Sequence, residues 1–490
     1  MDTFTSPTLP NPEPGNRPTL KPGKRAIYLW LALAIVLGLT LGSGMGLLFA
    51  KNGANSVNSL NPQNPQVQLA SALTPTPTGV TPTAPPKQPA GANHFAFGLD
   101  NAPGNVQYMN TMRSKNGAAF DYRYQYLAGG VNTGDGWETW NSPAGQFATY
   151  YIDDSASNHY IPAFVYYEML QSNGSCGNCD ESQKDLSNLN NPGLMKAYYA
   201  NWALLMQKIG ATHKTTLVIV EPDLWGFMEQ SVVGGSNSAA SVRASVASSG
   251  YAAVAGLPNT AQGFAWALLH LRDRYAPNAV LALHASPWAT NLDIASSTDP
   301  NLNAKGVAQK EAQFLLTAGI KGNPAGISKW NLLSNDVADR DAQQSGGHWW
   351  DRTNKTFPNF ARYLQFIGAL TAASGLHVIM WQVPEGNQYF DTENDGQGHT
   401  QDNRAEYILS HVADFAHAGI IGVLFGPGQG GTEYYDANKD GISNPAPIST
   451  YECNRCNTHQ SQYADDDGGY LRIFVGQYYK NGPYPLPAGW

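Results

Sequence analysis

Carboxylates follow several apolar runs of this sequence, at positions where they could act as acids, bases or nucleophiles. In the segment TTLVIVEPDLWGFMEQ at 215–230, an apolar, β-branched run leads directly into Glu221. Alternation along a strand places Glu221 on the face of Leu217 and Ile219. Burial there would raise its pKa towards that of a general acid. We therefore expect Glu221 to be a catalytic acid/base, with structural pairing of a buried carboxylate as the alternative.

A second carboxylate is needed for one reaction in particular. Hydrolysis of a glycosidic bond uses one carboxyl group to protonate the leaving oxygen and another as nucleophile or base. Asp336 and Glu385 both follow later apolar runs and qualify as the partner of Glu221. The sequence does not choose between them, and it leaves retention or inversion of configuration open.

Further polar and aromatic residues stand at or near the ends of the same apolar runs. Carboxylates and imidazoles are costly to bury unless partners are supplied, so their repetition at run ends predicts a site. Indole rings stack on the C–H faces of sugars, which favours a saccharide ligand. Each residue alone has a structural alternative, such as helix capping, surface pairing or core packing. The residues expected to bind substrate are Asp100, Asp223, Trp225, His284, Trp288, Trp381 and Gln382.

The elements that must position these residues alternate between short apolar strands and longer amphipathic helices. This alternation predicts a parallel sheet with crossover helices. Eight repeats indicate a (β/α)8 TIM barrel with decorated loops, whose chemistry lies at the carboxyl ends of the strands; an open doubly wound sheet is the alternative. The predicted strands cover 95–100, 122–131, 161–170, 215–224, 279–286, 332–339, 376–384 and 419–426. Helices are predicted within 191–210, 259–275, 303–319, 357–375, 403–419 and 465–482.

The order of three segments resembles a known enzyme family. A strand that runs into Glu221, Pro222 and Asp223 is followed by a helix containing FAWALLHLRDRY and a strand containing LALHASPW. This order is similar to that of family 6 glycoside hydrolases, over about 75 residues. The resemblance implies a barrel that cleaves β-1,4-glucan. The aspartate loop that carries the proton donor in that family reads VYYEMLQSNGSCGNC here.

Glu221 and Glu385 also resemble a second arrangement. Retaining barrel glycosidases carry their acid/base after strand four and their nucleophile at the end of strand seven, where this chain has Glu221 and Glu385. The asparagine that precedes the acid in those enzymes is Val220 here. The two resemblances together imply a glycosidase-like barrel without a defined specificity.

The first 93 residues predict a membrane anchor and a spacer. Residues 26–50 contain no charge, and 25 residues at about 1.5 Å each can cross a hydrocarbon layer of about 30 Å. Basic residues precede this span, so residues 1–25 are expected in the cytoplasm and the rest outside the cell membrane; a cleaved secretory signal is the alternative. Residues 51–93 are rich in proline and threonine and predict a disordered linker, which leaves 94–490 as the working domain.

Composition narrows the class of partner. The net charge is −8 and only 13% of the residues are charged, so there is no basic surface for nucleic acid. Twelve tryptophans and 25 tyrosines suit a surface that stacks against neutral polar ligands, which favours carbohydrate. The oligomeric state does not follow from the sequence.

Two motifs suggest metals or cross-links and no catalytic cofactor. Asp436, Asn438 and Asp440 have the spacing of a calcium loop that lacks its final glutamate, so the segment is interpreted either as a structural Ca²⁺ site or as a plain turn rich in Asp and Asn. The pairs Cys176, Cys179 and Cys453, Cys456 suit two disulfides outside the membrane better than one Zn²⁺ site.

These features together predict a membrane-anchored, extracytoplasmic glycoside hydrolase. Two alternatives remain open at this stage. One is a surface barrel that binds carbohydrate without catalysis, and the other is a metal-dependent hydrolase built on His284 and the aspartates near it.

Overall fold

The computed structural model describes residues 93–323, 326–338, 340, 342, 347–386, 402–426 and 470–487. The predicted tail, membrane span and nearly all of the linker lie outside these residues, as do the predicted calcium loop and Cys453 and Cys456. Within the described ranges, no helix is both long and apolar enough to span a bilayer. The membrane anchor therefore stays a prediction.

Eight parallel strands form a closed barrel in chain order, and the last strand pairs with the first. This confirms the predicted (β/α)8 architecture over the open sheet. The strands are β1 (Ala96–Asp100), β2 (Tyr122–Leu127), β3 (Ile161–Tyr166), β4 (Thr216–Val220), β5 (Ala279–His284), β6 (Leu332–Asn335), β7 (Val378–Pro384) and β8 (Ile420–Gly426).

Helices surround the barrel. The α-helices are α1 (Val106–Asn116), α2 (Gln146–Ser157), α3 (Glu181–Leu189), α4 (Pro192–Thr212), α5 (Pro222–Gln230), α6 (Ala261–Tyr275), α7 (Ala304–Thr317), α8 (Phe360–Ser374), α9 (Arg404–Ser410), α10 (Val412–His417) and α11 (Tyr470–Lys480). Four 3-10 turns cover Trp137–Thr139, Ala239–Ser241, Ala247–Ser249 and Ala252–Val254.

Side chains at the helix starts explain where several helices begin. Asn191, Thr260, Asn303 and Asn359 each accept a hydrogen bond from the backbone N–H three residues later, at the first turns of α4, α6, α7 and α8. Such caps satisfy N–H groups that the helix itself leaves free. These four helices begin within three residues of the predicted starts.

The strands divide their side chains between two apolar layers. Residues of one parity fill the barrel interior, including Leu217 and Ile219 of β4 with Val280 and Ala282 of β5. Residues of the other parity, such as Val218, pack against the helices in an outer layer. This alternation decides which residues at the strand ends face the open end of the barrel.

Candidate functional site

The barrel mouth collects polar side chains from β1, β5, β6 and β7. His284 is the last residue of β5 and continues the interior face of Val280 and Ala282. Asp336 follows β6 by one residue and continues the interior face of Leu332. Trp381 also belongs to the interior layer, on β7. The structure therefore brings together four predicted site residues at one end of the barrel: Asp100, His284, Asp336 and Trp381.

His284 lies at the centre of a buried polar network. Its Nδ1 accepts a hydrogen bond from Trp381 Nε1 at 3.2 Å and lies 3.1 Å from Ser334 Oγ. Its Nε2 lies 3.3 Å from Asp336 Oδ2. Only 1% of His284 is exposed. Three neighbouring strands thus fix the imidazole from both nitrogen atoms.

Asp100 is the mouth carboxyl group with a strongly perturbed pKa. Burial raises the pKa of Asp100 to about 7, against the opposing effects of the Asn101 backbone N–H and the Arg123 charge. Its Oδ1 is buried and has no hydrogen-bond partner in the structure. A carboxyl group that holds its proton near neutral pH can act as a general acid.

Tyr124 lies between Asp100 and Glu385. Burial raises the pKa of the Tyr124 hydroxyl well above its usual value, and the charges of Asp100 and Glu385 raise it further. The hydroxyl is buried without a hydrogen-bond partner and lies against Gly426, where a Cβ would collide with it. Asp100 and Glu385 therefore both lie within electrostatic range of the same buried hydroxyl. We call Asp100, Asp336 and Glu385 the mouth cluster.

Gln382 also faces the mouth, because a bulge in β7 interrupts the alternation of side chains there. Its φ is 46°, and the register of β7 against β8 shifts between Met380 and Val383, which marks a bulge. The bulge lets Gln382 Oε1 accept a hydrogen bond from the Tyr126 hydroxyl at 2.5 Å. The Tyr126 ring meets the Trp381 indole edge-on at 5.8 Å. Gln382 thus lies in the wall of the site, and its predicted contact with substrate stays a prediction.

Glu221 follows β4 directly, but its carboxylate is paired with backbone groups, and its catalytic role stays a prediction. β4 ends at Val220 and α5 begins at Pro222, so Glu221 alone makes the turn, with φ 44° and ψ 69°. Its carboxylate accepts hydrogen bonds from the backbone N–H groups of Glu168 and Met169 at 3.1 and 3.2 Å. These two hydrogen bonds are the structural pairing that the sequence analysis gave as the alternative role of Glu221.

The surroundings of Glu221 belong to the outer layer. Burial raises the pKa of Glu221 to about 7, and the Tyr198 hydroxyl of α4 and the two backbone N–H groups limit the rise. Glu168, which follows β3, and Asp185 of α3 are also buried. Burial together with the Glu221 charge raises the pKa of both carboxyl groups. We call Glu221, Glu168 and Asp185 the outer cluster.

Asp223 lies in the first turn of α5, and Tyr167 directly follows β3. Both lie near the outer cluster. The Tyr167 hydroxyl lies 3.2 Å from Asp223 Oδ2 and 3.1 Å from Glu181 Oε1. Asp223 is partly buried. Its predicted contact with substrate stays a prediction.

The two tryptophans predicted beside β4 and β5 have different roles. Trp225 is 1% exposed, donates a hydrogen bond to the Val220 carbonyl at 3.0 Å and packs against Phe264 of α6. It is therefore a residue of the outer core in this structure, and its predicted contact with substrate stays a prediction. Trp288 is partly exposed and lies over Gly226 and Phe227 of α5, where a Cβ on Gly226 would touch the indole.

The metal and cysteine predictions are only partly covered by the described residues. No group of three or more histidines, cysteines, aspartates or glutamates placed to hold a metal occurs among them. Cys176 and Cys179 form a disulfide with their Cα atoms 5.7 Å apart. Asp436, Asn438, Asp440, Cys453 and Cys456 lie outside the described residues, so the calcium site and the second cysteine pair stay predictions.

Three further mouth residues did not appear among the predicted ones. Tyr124, Tyr126 and Ser334 all share the interior parity of their strands. The alternating tyrosines in YRYQYL at 122–127 are the signal that could have identified two of them, since every second residue of β2 faces inward and these residues are all tyrosines.

No known family matches the chain, and no curated protein matches it. Several solved structures do. An endoglucanase of Mycobacterium tuberculosis is 13% identical, with 64% of this chain and 79% of that chain covered and a TM-score of 0.27. A family 6 glycoside hydrolase of Coprinopsis cinerea is 13% identical, with 78% and 95% covered and a TM-score of 0.33. A β-glucosidase of Thermotoga maritima is 10% identical, with 77% and 86% covered and a TM-score of 0.40.

All three are glycoside hydrolases. The identities are too low for the chain to be placed in any one of their families. The barrel assignment rests on the strand pairing of this chain itself.

Proposed function

We propose that the chain is a membrane-anchored, extracytoplasmic glycoside hydrolase that cleaves a poly- or oligosaccharide with two carboxyl groups of the mouth cluster. The observation that carries the proposal is the convergence of Asp100, Asp336 and Glu385 with the Trp381 indole at the open end of one barrel. Paired carboxyl groups beside an aromatic ring are what glycosidic hydrolysis requires.

Asp100 is the proposed general acid. A pKa of about 7 keeps its proton available at neutral pH for the leaving oxygen. Asp336 or Glu385 then acts as nucleophile or base. The proposed general acid therefore differs from the one expected from the sequence, whereas its two candidate partners are the same. Glu221 is assigned no role in this proposal, because its carboxylate is already paired with backbone N–H groups.

Two features of the mouth favour a sugar over a charged ligand. The walls are aromatic and neutral, with Tyr124, Tyr126 and Gln382 offering hydroxyl and amide groups to a polyol. The buried Tyr124 hydroxyl has no hydrogen-bond partner among the described residues, so a ligand hydroxyl that reached it would satisfy a costly buried group.

Release of reducing ends from a panel of defined glycans tests the proposal. The full-length protein in detergent is incubated with oligomers of β-1,4-glucan, β-1,4-mannan, β-1,4-xylan and α-1,4-glucan, and each is also titrated for binding. We expect hydrolysis of at least one class, abolished by Asp100→Asn and unaffected by Asp153→Asn, an exposed residue of α2. Binding without hydrolysis would make the chain a carbohydrate-binding barrel, and neither binding nor hydrolysis would overturn the proposal.

The anchor is a separate part of the proposal, and it is supported by the uncharged run at 26–50 and the basic residues before it. Expression of the whole chain and of a chain without residues 26–50, followed by separation of membranes from soluble protein, tests it. The whole chain should sediment with membranes and be accessible to external protease beyond residue 51. Recovery of both forms in the soluble fraction would contradict the anchor.

A further inference from the structure

The hydrogen bond between Trp381 and His284 determines where the imidazole carries its proton. An indole N–H can only donate a hydrogen bond. Since Trp381 Nε1 donates to His284 Nδ1 at 3.2 Å, Nδ1 must present its lone pair, and the proton of the neutral ring resides on Nε2. The near-perpendicular rings, at 82° with centroids 5.9 Å apart, point the indole N–H at the edge of the imidazole.

The Nε2–H that results faces Asp336. Nε2 lies 3.3 Å from Asp336 Oδ2, and the approach is not yet aligned as a hydrogen bond. Nε2 is fully buried and has no other partner in the described part of the chain. A buried donor without an acceptor is costly, so rotation of the Asp336 carboxylate towards Nε2–H is favoured. Asp336 is the only carboxylate that the structure places within ion-pair distance of this imidazole among the described residues.

The strands, and not the loops, hold this geometry. His284 of β5 and Ser334 of β6 are direct register partners, and Ser334 Oγ lies 3.1 Å from Nδ1. Asp336 follows Ser334 by two residues on the same face, and Trp381 belongs to the next strand, β7. Groups fixed on rigid strands keep catalytic geometry better than groups on loops.

We infer that Trp381 and His284 form a tautomer lock, in which the indole fixes the Nε2–H form of the imidazole and that N–H aims the Asp336 carboxylate into the mouth. The inference rests on the proposed function and deepens it, because it selects Asp336 over Glu385 as the partner of Asp100. His284 and Trp381 then act as positioning residues for Asp336.

Two substitutions separate the two nitrogen atoms of His284. In His284→Gln the side-chain amide nitrogen occupies the place of Nε2 and can still donate to Asp336. In His284→Asn the amide oxygen occupies the place of Nδ1 and still accepts from Trp381, but no donor reaches Asp336. The lock predicts a loss of about 100-fold in kcat for His284→Asn, as expected when a reacting group is misplaced by about 1 Å. It also predicts near wild-type kcat for His284→Gln, and little change in KM for either variant.

The matched control is His270→Gln, which removes a half-buried histidine of α6 on the helical side of the barrel. It should leave kcat and KM unchanged. Equal losses of kcat in the Gln and Asn variants, or a larger loss in the Gln variant, would overturn the role of Nε2–H in aiming Asp336.

A spectroscopic measurement on the full-length protein tests the tautomer without any substrate. Nitrogen-15 spectra of labelled histidine side chains at pH 7.5, with His284 assigned by its disappearance in His284→Gln, should show the Nε2–H form only. Trp381→Phe removes the donor to Nδ1 and should release a mixture of the two tautomers or of ring orientations. An Nδ1–H form in the wild-type protein would overturn the lock. If the tautomer is as expected but no glycan is hydrolysed, the lock stands and the proposed function fails.

Discussion

The mouth cluster and the outer cluster contain the same chemical groups but differ in what surrounds them. Asp100, the last residue of β1, has a buried carboxylate oxygen without a hydrogen-bond partner among the described residues. Glu221, directly after β4, gives its carboxylate to two backbone N–H groups under the helices. Burial raises the pKa of both groups to about 7. A perturbed pKa therefore does not distinguish a reactive carboxyl group from a structural one, whereas its hydrogen-bond partners and its access to the mouth do.

The largest expected difference between the clusters is in catalysis. Asp100→Asn should lower kcat by about 10²- to 10⁴-fold, the range that a general acid contributes. Glu221→Gln should change kcat by less than about twofold, because the amide oxygen can accept the same two backbone hydrogen bonds. Both variants replace a carboxyl group by an amide of similar shape. Initial rates on a glycan that responds in the panel measure both effects, and the reverse pattern would return Glu221 to the active site.

A smaller difference is expected in the pH dependence of folding stability. Burial raises the folded-state pKa of Glu221 to about 7, from the 4.5 that is usual for a glutamate in water. The stability that comes from this group is therefore fully present below pH 4.5 and is lost as the pH rises through 7. The loss is on the order of 3 kcal/mol, since each pKa unit corresponds to about 1.4 kcal/mol.

Urea unfolding of the full-length protein at pH 5 and pH 8.5 measures this loss. Glu221→Gln carries no titrating group at this position, so its free energy of unfolding should fall less between the two pH values than that of the wild type. Asp153→Asn, on the exposed face of α2, should follow the wild type. An equal fall in wild type and Glu221→Gln would show that the outer cluster does not hold this proton.

The barrel and the positions of His284 and Asp336 in its mouth could be predicted from the sequence for a simple reason. Side chains alternate along a strand as long as the backbone stays extended, and His284 and Asp336 both continue the extended parity of β5 and β6. The same rule predicts that the interior faces of β4 and β5 meet in the core, as Leu217 and Val280 do.

The alternation of side chains along a strand does not extend to Glu221, because this single residue joins β4 to α5. A one-residue connection must reverse the chain direction by itself, which forces a left-handed φ of 44° and turns the side chain away from the interior. The signal was the proline at 222, since proline is favoured at the first position of a helix and so places the helix start directly after Glu221. The bulge that brings Gln382 into the mouth has no comparable mark in the sequence.

The smallest expected difference concerns Trp225, which the sequence analysis grouped with Trp381 as a substrate-binding residue. Trp225 packs in the outer core against Phe264 and Trp330, with ring centroids 5.5 and 6.0 Å away, and its Nε1 bonds the Val220 carbonyl. Trp225→Phe should lower the free energy of unfolding by about 1 to 2 kcal/mol, through one lost hydrogen bond and reduced packing. KM and kcat should stay within about twofold of wild type, because the indole is separated from the mouth by the wall of the barrel. Urea unfolding and initial rates on the same preparation measure both quantities. A rise in KM with unchanged stability would place Trp225 in the substrate site after all, and would show that the outer layer at β4 is open to ligand.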